Sequence, residues 1–465
     1  MAPAFATVSE LSGRLERKEI SPTELLTETL ERIDKLEPIL NTFAFLDTDG
    51  ALAAAQAADK RQRDGKRLSV LDGIPTSIKD LIAQKGLPLR FGSKASPDSP
   101  AAEDAPSVRR LRDAGAVLLG KSTTSEFGSK AVGDSPLTGI TRNPWNTEMT
   151  PGGSSSGAAA MVAAGIVPYA IGTDGGGSIR IPAALSGLFG IKASFGRVPV
   201  YPVSATPTLA HVGPLTRTVK DAAMVLDVIS GYDNRDPFSV YGPSEDYAKS
   251  LNTGRTLRIG WTPDFGYAKV EAEVADIAQT AVNNLSSMGH EIEELPNLME
   301  DPVDMWNAEF YAGIGTKLRG VIESSPDLLD PAVLKVLEIA ISQEMGDYYA
   351  KVFERYAFRD KIRKVFEQYD VLLSPTIPVS HVPAGQNIPS SHQERSIVSW
   401  VCFTYPFNLT GNPAASMPIG FDAKGLPVGL QVAGRLNDEK TVLNLCHSYE
   451  KAFGDGTKRP PLSLR

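Results

Sequence analysis

The sequence predicts an α/β fold built around one large, mostly buried sheet. Short apolar runs alternate with stretches of helical periodicity along most of the chain, which indicates strands and helices in turn. The runs are apolar along their whole length, and such strands are usually buried on both faces of a mostly parallel sheet. The length of 465 residues allows one large core or two medium ones. Because the alternation continues beyond a Pro- and Gly-rich connection at 233–247, we expect a single domain.

Each element is predicted from its local pattern. A helix begins at Pro22, because Ser21 can cap it and Glu24 completes a capping box. An Ala-rich helix runs from Ala51 to near Gly65. The other predicted helical segments are 106–115, 270–289 and much of 300–360. The predicted strands are 116–121, 166–173, 257–261, 369–375 and 428–434.

Charge and composition exclude several classes of function. The formal net charge of −8 argues against binding to nucleic acid or to an anionic membrane, because both need clustered Lys and Arg. The two cysteines, Cys402 and Cys446, are too few for a disulfide framework and fit a reducing compartment. We find no basic region followed by an apolar core at the N-terminus and no run of about 18 apolar residues. We therefore expect a cytoplasmic protein without a transmembrane helix.

Two Gly-rich segments fail the tests for nucleotide binding. Gly172 and Gly177 have the outer spacing of a Walker loop, but Ser178 follows where the loop needs lysine, and 152–157 lacks that lysine too. The dinucleotide fingerprint also fails, since Arg180 stands at its third glycine. The five histidines show no zinc-ligand spacing. We expect neither a nucleotide cofactor nor a metal.

Both segments are instead typical of loops that lead into a helix and bind a negative charge. The run at 152–157 precedes an Ala-rich stretch, and amides at a helix N-terminus favour negative charge. In "GTDGGGSIR" the glycines allow successive amides to face one concave site, which suits an oxyanion, and Ser178 is the candidate nucleophile. The candidate oxyanion donors are the amides of Gly175, Gly176, Gly177 and Ser178. Either motif alone is also typical of a structural turn.

A serine nucleophile also needs a base. One candidate is Lys79 in "LDGIPTSIKDL", which follows a strand-like segment and has apolar neighbours. Most lysines are solvated, but burial lowers the pKa of a lysine and lets it act as a neutral base. A Ser-His-Asp triad also stays open, because triads assemble in space and 153–157 holds a weak G-x-S-x-G pattern.

Three segments together resemble the amidase signature family of serine hydrolases. They are "DGIPTSIKD", "NPWNTEMTPGGSSSGAAAMVAAG" and "GTDGGGSIRIPAALSGLFGIKASFGRVP", in the family's order, and weaker similarity covers nearly the whole chain. The resemblance implies a single domain over 1–465 with a central twisted, mixed sheet that helices cover on both faces. It also implies a signature core at 66–235 and a more variable, helix-rich substrate-pocket segment at 296–400.

The same resemblance implies a Ser-Ser-Lys triad. Ser178 corresponds to the nucleophile that is acylated, Ser154 to the serine that bridges it to the base, and Lys79 to the base. In the family the bridging serine follows a cis peptide bond, here Gly153–Ser154. Positions that support the site are Ser155, Asp174 and Arg180. The sequence departs from the family at Ser156, where many members have glycine, which bears on local loop geometry alone.

The resemblance further implies an amide hydrolase with a small-molecule amide as its partner, and it allows a homodimer. Relatives that hydrolyse glutamine carry an acidic residue seven positions before the Asn of an "NLAG"-like motif, and counting back from Asn408 reaches Val401. The apolar, aromatic setting of Val401 favours an apolar or aryl acylamide. The residues predicted to line the pocket are Phe127, Trp306, Phe310 and Tyr405.

Two alternatives to a stand-alone amidase stay open. The chain could be the glutamine-hydrolysing component of a tRNA-dependent amidotransferase, which uses the same triad to release ammonia for a partner complex. It could also be a noncatalytic binding protein on this scaffold, although the presence of all three triad residues argues against that reading.

Overall fold

Strands and helices alternate along residues 4–242 and 245–464, which the computed structural model describes. The strands are β1 (Phe43–Leu46), β2 (Pro75–Lys79), β3 (Val117–Ser122), β4 (Asp134–Ser135), β5 (Gly139–Ile140), β6 (Tyr169–Asp174), β7 (Phe189–Lys192), β8 (His211–Thr216), β9 (Arg258–Trp261), β10 (Glu291–Glu294), β11 (Val371–Pro375), β12 (Ala414–Phe421) and β13 (Pro427–Gly434). The helices are α1 (Val8–Glu16), α2 (Pro22–Leu40), α3 (Thr48–Arg63), α4 (Pro106–Asp113), α5 (Ser156–Ala163), α6 (Arg180–Ser186), α7 (Val219–Ile229), α8 (Tyr247–Ser250), α9 (Ala272–Ser287), α10 (Val303–Ser324), α11 (Pro331–Ile341), α12 (Met345–Gln368), α13 (Pro406–Thr410) and α14 (Glu439–Phe453).

Eleven strands form one mixed sheet in a single domain, in the order β1-β3-β2-β6-β8-β7-β12-β13-β11-β9-β10. The pairs β2–β3, β2–β6, β9–β10 and β9–β11 are parallel. The other neighbours in this sheet are antiparallel. The expectation of a mostly parallel sheet is therefore wrong, and the mixed sheet implied by the resemblance is confirmed. A strand that is apolar along its whole length indicates burial on both faces of the sheet. Antiparallel strands are buried in this way here too, so the apolar runs did not show the direction of pairing.

Helices cover both faces of the sheet, as the alternation of side chains along β3 shows. Leu118 belongs to a hydrophobic cluster that includes α1, α4, α7 and α14. Its neighbours Val117 and Leu119 belong to a second cluster with α2, α3 and α5. Successive side chains of a strand point to opposite faces, so the two clusters lie on opposite sides of the sheet.

The predicted elements are confirmed, with shifted ends. Ser21 caps α2, because its Oγ accepts the Glu24 amide at 3.2 Å while the Glu24 carboxylate accepts the Ser21 amide at 2.8 Å. The strand predicted at 166–173 begins only at Tyr169. Residues 243 and 244 of the connection at 233–247 lie outside the described residues. Within the described ranges, no helix combines the length and hydropathy that a membrane span needs.

The parallel pairing of β2 with β6 brings two of the predicted site segments together. Ile78 pairs with Ile171, so both strands end at the same edge of the sheet. β2 ends at Lys79, and β6 ends at Asp174, directly before the glycine turn. The loop that precedes α5 meets this turn, because the Ser155 amide donates to the Ser178 carbonyl at 3.2 Å.

Candidate active site

Lys79 lies at the end of β2 and is fully buried. Its Nζ is 2.7 Å from Ser154 Oγ, 2.9 Å from Ser155 Oγ and 2.9 Å from Thr173 Oγ1. Burial lowers the pKa of Lys79 well below the ordinary value of 10.5, because desolvation penalises the ammonium, and the charge of Asp174 opposes this only in part. Among the described residues, three hydroxyls and no carboxylate lie within hydrogen-bond distance of the amine, so Lys79 can be held neutral and accept a proton.

The serine loop before α5 places two hydroxyls on this amine. The peptide bond Gly153–Ser154 is cis. Ser155 Oγ donates to the Thr173 carbonyl at 3.2 Å and also accepts the Thr173 amide at 3.3 Å, so it ties the loop to β6. Ser154 Oγ has Lys79 as its partner and also lines a cavity. Ser154 therefore connects the buried amine to the space where a substrate can bind.

The glycine turn after β6 carries Ser178 into the same cavity. Ser178 retains 9% of its accessible surface. The Gly177 amide, predicted as an oxyanion donor, already donates to Asp174 Oδ1 at 2.8 Å. Among the described residues, the amides of Gly175, Gly176 and Ser178 have no hydrogen-bond acceptor in the protein. Of the four predicted donors, these three are the ones left to bind an oxyanion.

A buried ion pair holds the turn in place. Arg180 Nε and Nη2 donate to the two oxygens of Asp174 at 3.0 and 2.9 Å, and both side chains are fully buried. The Asn408 amide group adds a bond to Asp174 Oδ1 at 2.9 Å. Burial alone would raise the pKa of Asp174, but the charge and hydrogen bonds of Arg180, with that of Asn408, hold it below its ordinary value of 3.8. The carboxylate therefore stays ionised and fixes the turn through the Gly177 amide.

Two aromatic side chains of α10 pack on the glycines. Trp306 Nε1 donates to the Gly175 carbonyl at 2.8 Å, and the Trp306 ring stacks on Phe310 with a centroid separation of 4.2 Å. A Cβ on Gly176 would lie 2.6 Å from Trp306 Cζ2, and one on Gly175 would lie 2.8 Å from Phe310 Cε2. The turn therefore needs glycine at both positions because the aromatic rings occupy the space of a side chain.

The cavity beside Ser154 and Ser178 has a volume of about 280 Å³. Of the predicted pocket residues, Phe127 and Phe310 line it, whereas Trp306 supports the turn from behind Phe310. Tyr405 is fully buried away from the lining, with its hydroxyl donating to Asp301 at 2.5 Å. Much of the remaining lining comes from 199–206, from the residues that follow β2 and from the second half of α10.

Sequence reasoning missed Thr173 and His211, which are among the polar residues that line the cavity. Thr173 contacts Lys79 and precedes Asp174 in the glycine motif, so its position in "GTDGGGS" was the available signal. His211 lines the cavity from β8, and its Nδ1 lies 2.8 Å from the Leu209 carbonyl and 3.1 Å from that of Asp174. Burial, and then the charge of Lys192, lower the pKa of His211 well below 6.5. No sequence spacing singled out His211, since β8 contacts β6 only through the sheet.

None of the described residues that line the cavity carries a carboxylate. The basic side chains in this lining are those of His211 and Lys317. Val401 is fully buried. Elsewhere in the described ranges, no group of three or more His, Cys, Asp or Glu side chains is placed to hold a metal ion. The arrangement is thus a buried lysine linked by one serine to an apolar cavity that holds a second serine.

Comparison with known proteins identifies the family. The chain matches the Amidase family model over residues 24–443. It belongs to the amidase family. It is an amidase signature enzyme and an amide hydrolase. The fold predicted from the resemblance is confirmed, since a bacterial aryl acylamidase of the amidase signature family superposes with a TM-score of 0.91 at 30% identity, covering 97% of this chain and 96% of that one.

The relatives differ in their activities. An acylamidase of Rhodococcus erythropolis is 34% identical over 468 residues, which covers 99% of this chain and 98% of that protein. A glutamyl-tRNA(Gln) amidotransferase component of Chloroflexus aggregans is 37% identical over 486 residues, covering 99% of each. Similarity therefore supports amide hydrolysis by this amidase and leaves the identity of the amide to be argued from the site.

Proposed function

We propose that this amidase hydrolyses apolar or aryl acylamides through an acyl-enzyme on Ser178. The observation that carries the proposal is the cavity at Ser154 and Ser178, whose described lining is mainly apolar and holds no carboxylate. The ammonium of glutamine would enter such a cavity without a charged partner, which is costly. An acyl chain or aryl ring is instead stabilised by about 25 cal/mol for each Å² that it buries.

The proposed acylation moves one proton along two serines. Neutral Lys79 takes a proton from Ser154, Ser154 takes one from Ser178, and Ser178 Oγ attacks the amide carbonyl carbon. The 2.7 Å contact between Lys79 Nζ and Ser154 Oγ supports the first transfer. The amides of Gly175, Gly176 and Ser178 stabilise the negative charge that develops on the carbonyl oxygen.

Collapse of the tetrahedral intermediate breaks the C–N bond. Ser154 donates its proton to the leaving nitrogen and regains one from the Lys79 ammonium, so an amine or ammonia departs and Ser178 is acylated. Water then attacks the ester carbonyl while Ser154 and Lys79 accept its proton. The second collapse releases the carboxylic acid and restores Ser178 as a hydroxyl.

The second candidate is glutamine hydrolysis within an amidotransferase. The 37% identity to a component of such an enzyme, over 99% of this chain, favours it. The cavity lining and the buried Val401 oppose it, because neither supplies a carboxylate for the ammonium of glutamine. We therefore rank it below acylamide hydrolysis.

A substrate panel tests the proposal. Acetanilide, hexanamide, benzamide and glutamine are compared by the release of aniline or ammonia. We expect kcat/KM for the best apolar amide to exceed that for glutamine by about 100-fold, because an ammonium without a partner is strongly disfavoured. Glutamine as the best substrate would overturn the proposal in favour of glutamine hydrolysis within an amidotransferase.

A matched pair of serine variants tests the nucleophile. Ser178→Ala should lose both activity and labelling by a fluorophosphonate. Ser156→Ala should keep both, because Ser156 Oγ donates to the Thr123 carbonyl at 3.3 Å and is not in the proton relay. A wild-type protein that is never labelled and cleaves none of the amides would support a noncatalytic binding protein.

A further inference from the structure

The apolar cavity has a lysine in its lining. Lys317 lies on α10, lines the cavity and is itself exposed, and its Nζ donates to the Val203 carbonyl at 3.2 Å. The part of the side chain that packs against the cavity wall is desolvated, which lowers the pKa of Lys317 from the ordinary value of 10.5. A carboxylate bound beside it would offset that desolvation.

No carboxylate of the described residues pairs with Lys317. Its hydrogen bond to Val203 leaves donors on the ammonium free. The charges near Tyr201, another lining residue, neutralise each other, because Glu103 and Arg235 form an ion pair at 2.9 Å. The positive charge of Lys317 is therefore available to a ligand.

The helix α10 gives the length of the cavity from the glycine turn to Lys317. Phe310 contacts Gly175 at the turn, and Ile314 and Lys317 follow on the same helix and line the cavity. Seven residues of α-helix span about 10 Å. A ligand that starts at Ser178 and follows α10 would thus bring its far end to Lys317 after two helical turns.

The proposed relay implies that the acyl part of the substrate would follow α10. In the proposed relay Ser154 protonates the leaving nitrogen, so the leaving group lies on the Ser154 side. Gly128 and Leu81 form the wall on that side, since a Cβ on Gly128 would lie 3.2 Å from Ser154 Oγ and 3.0 Å from Leu81 Cδ1. With its carbonyl oxygen at the free amides of the glycine turn, a substrate would extend its acyl chain along Phe310.

We propose that Lys317 binds an anionic group at the far end of the acyl chain, so that preferred substrates are amides of apolar acyl chains ending in a carboxylate. This inference rests on the proposed amide hydrolysis at Ser178. It makes Lys317 a specificity-determining residue, and the apolar wall between Ser178 and Lys317 sets the chain length.

The test compares two amides that differ only at the far end. Octanamide ends in a methyl group, and the monoamide of suberic acid ends in a carboxylate. Ammonia release gives kcat/KM for each with the wild type, Lys317→Met, Lys317→Glu and the control Arg319→Met. Met keeps an unbranched side chain of high helix propensity without the charge, and Arg319 is an exposed cation of α10 outside the cavity lining.

We expect the ratio of kcat/KM for the carboxylate over the methyl substrate to fall about fivefold to tenfold in Lys317→Met, and further in Lys317→Glu. The ratio should stay at the wild-type value in Arg319→Met. Arg319→Met should hydrolyse octanamide at about the wild-type rate, because Arg319 lies outside the cavity lining.

Chain length gives a second, independent readout. The monoamides of succinic, adipic, suberic and sebacic acid are compared as substrates of the wild type and of Lys317→Met. The advantage of the wild type in kcat/KM should be greatest for the chain that spans about 10 Å. An equal ratio in wild type and Lys317→Met, or an advantage independent of length, would overturn the Lys317 proposal while octanamide hydrolysis upholds the proposed function. If the wild type cleaves neither of the two amides, cleavage of acetanilide, hexanamide or benzamide overturns the Lys317 proposal alone, and cleavage of none of them overturns both proposals.

Discussion

The substitution Gly176→Ala tests whether the aromatic side chains of α10 hold the glycine turn. The new Cβ would lie 2.6 Å from Trp306 Cζ2, closer than carbon atoms approach in folded proteins. Gly176 does not have a positive φ, so alanine meets no backbone strain there. Any effect of the substitution therefore comes from the contact with Trp306.

The size of the effect follows from what Trp306 must give up. The ring is 1% exposed, so it cannot move without losing its hydrogen bond to Gly175 or its stack on Phe310. A hydrogen bond and an aromatic pair contribute about 1 kcal/mol each, so we expect the free energy of unfolding to fall by about 2 kcal/mol. If the turn shifts instead, kcat should fall by about 100-fold, the usual cost of one oxyanion donor.

Urea unfolding and amide hydrolysis measure the two effects. Gly320→Ala is the matched control, since it lies on α10 with open space around it and should stabilise the protein by about 0.5 to 1 kcal/mol. In a Trp306→Ala background, Gly176→Ala should lose most of its cost in stability. A Gly176→Ala enzyme with wild-type stability and activity would refute this account of the turn.

Further predictions concern buried charges. Arg180→Met leaves the Asp174 carboxylate buried without its ion-pair partner, so the free energy of unfolding in urea should fall by about 3 to 5 kcal/mol; a loss below about 1 kcal/mol would contradict the described ion pair. Burial raises the pKa of Asp221 from 3.8 to about 6, so the folded state binds more protons than the unfolded state in this window. The free energy of unfolding should therefore decrease as pH rises from about 4 to 6, and Asp221→Asn should make this decrease smaller. The same pH dependence in Asp221→Asn and wild type would contradict the raised pKa of Asp221.

The sequence predicted the elements better than their arrangement. The apolar runs at 369–375 and 428–434 correctly predicted β11 and β13, because a strand that is buried along its whole length is apolar along its whole length. Their antiparallel pairing depends on contacts between distant segments, which local patterns do not contain. Only the resemblance to the amidase signature family predicted the mixed sheet.

The sequence likewise predicted only part of the candidate active site. Lys79, Ser154 and Ser178 stand in motifs whose spacing could be compared with a family, and the structure brings Lys79 to Ser154 and both serines to one cavity. The cavity wall at 199–206 has no periodicity to predict, since a loop takes its position from packing. Tyr405 illustrates the limit, because a buried aromatic residue is as typical of a core as of a pocket.

The pH dependence of kcat/KM for an apolar amide, measured for wild type and Lys79→Met, tests the central claim most directly. The free amine is the base, so wild-type activity should fall on acidification as Lys79, whose pKa is lowered by burial, becomes protonated. A Lys79→Met protein that is folded by circular dichroism should lose at least about 100-fold in kcat/KM at every pH and show no such titration. A Lys79→Met enzyme that keeps the wild-type rate and the wild-type pH profile would contradict the account.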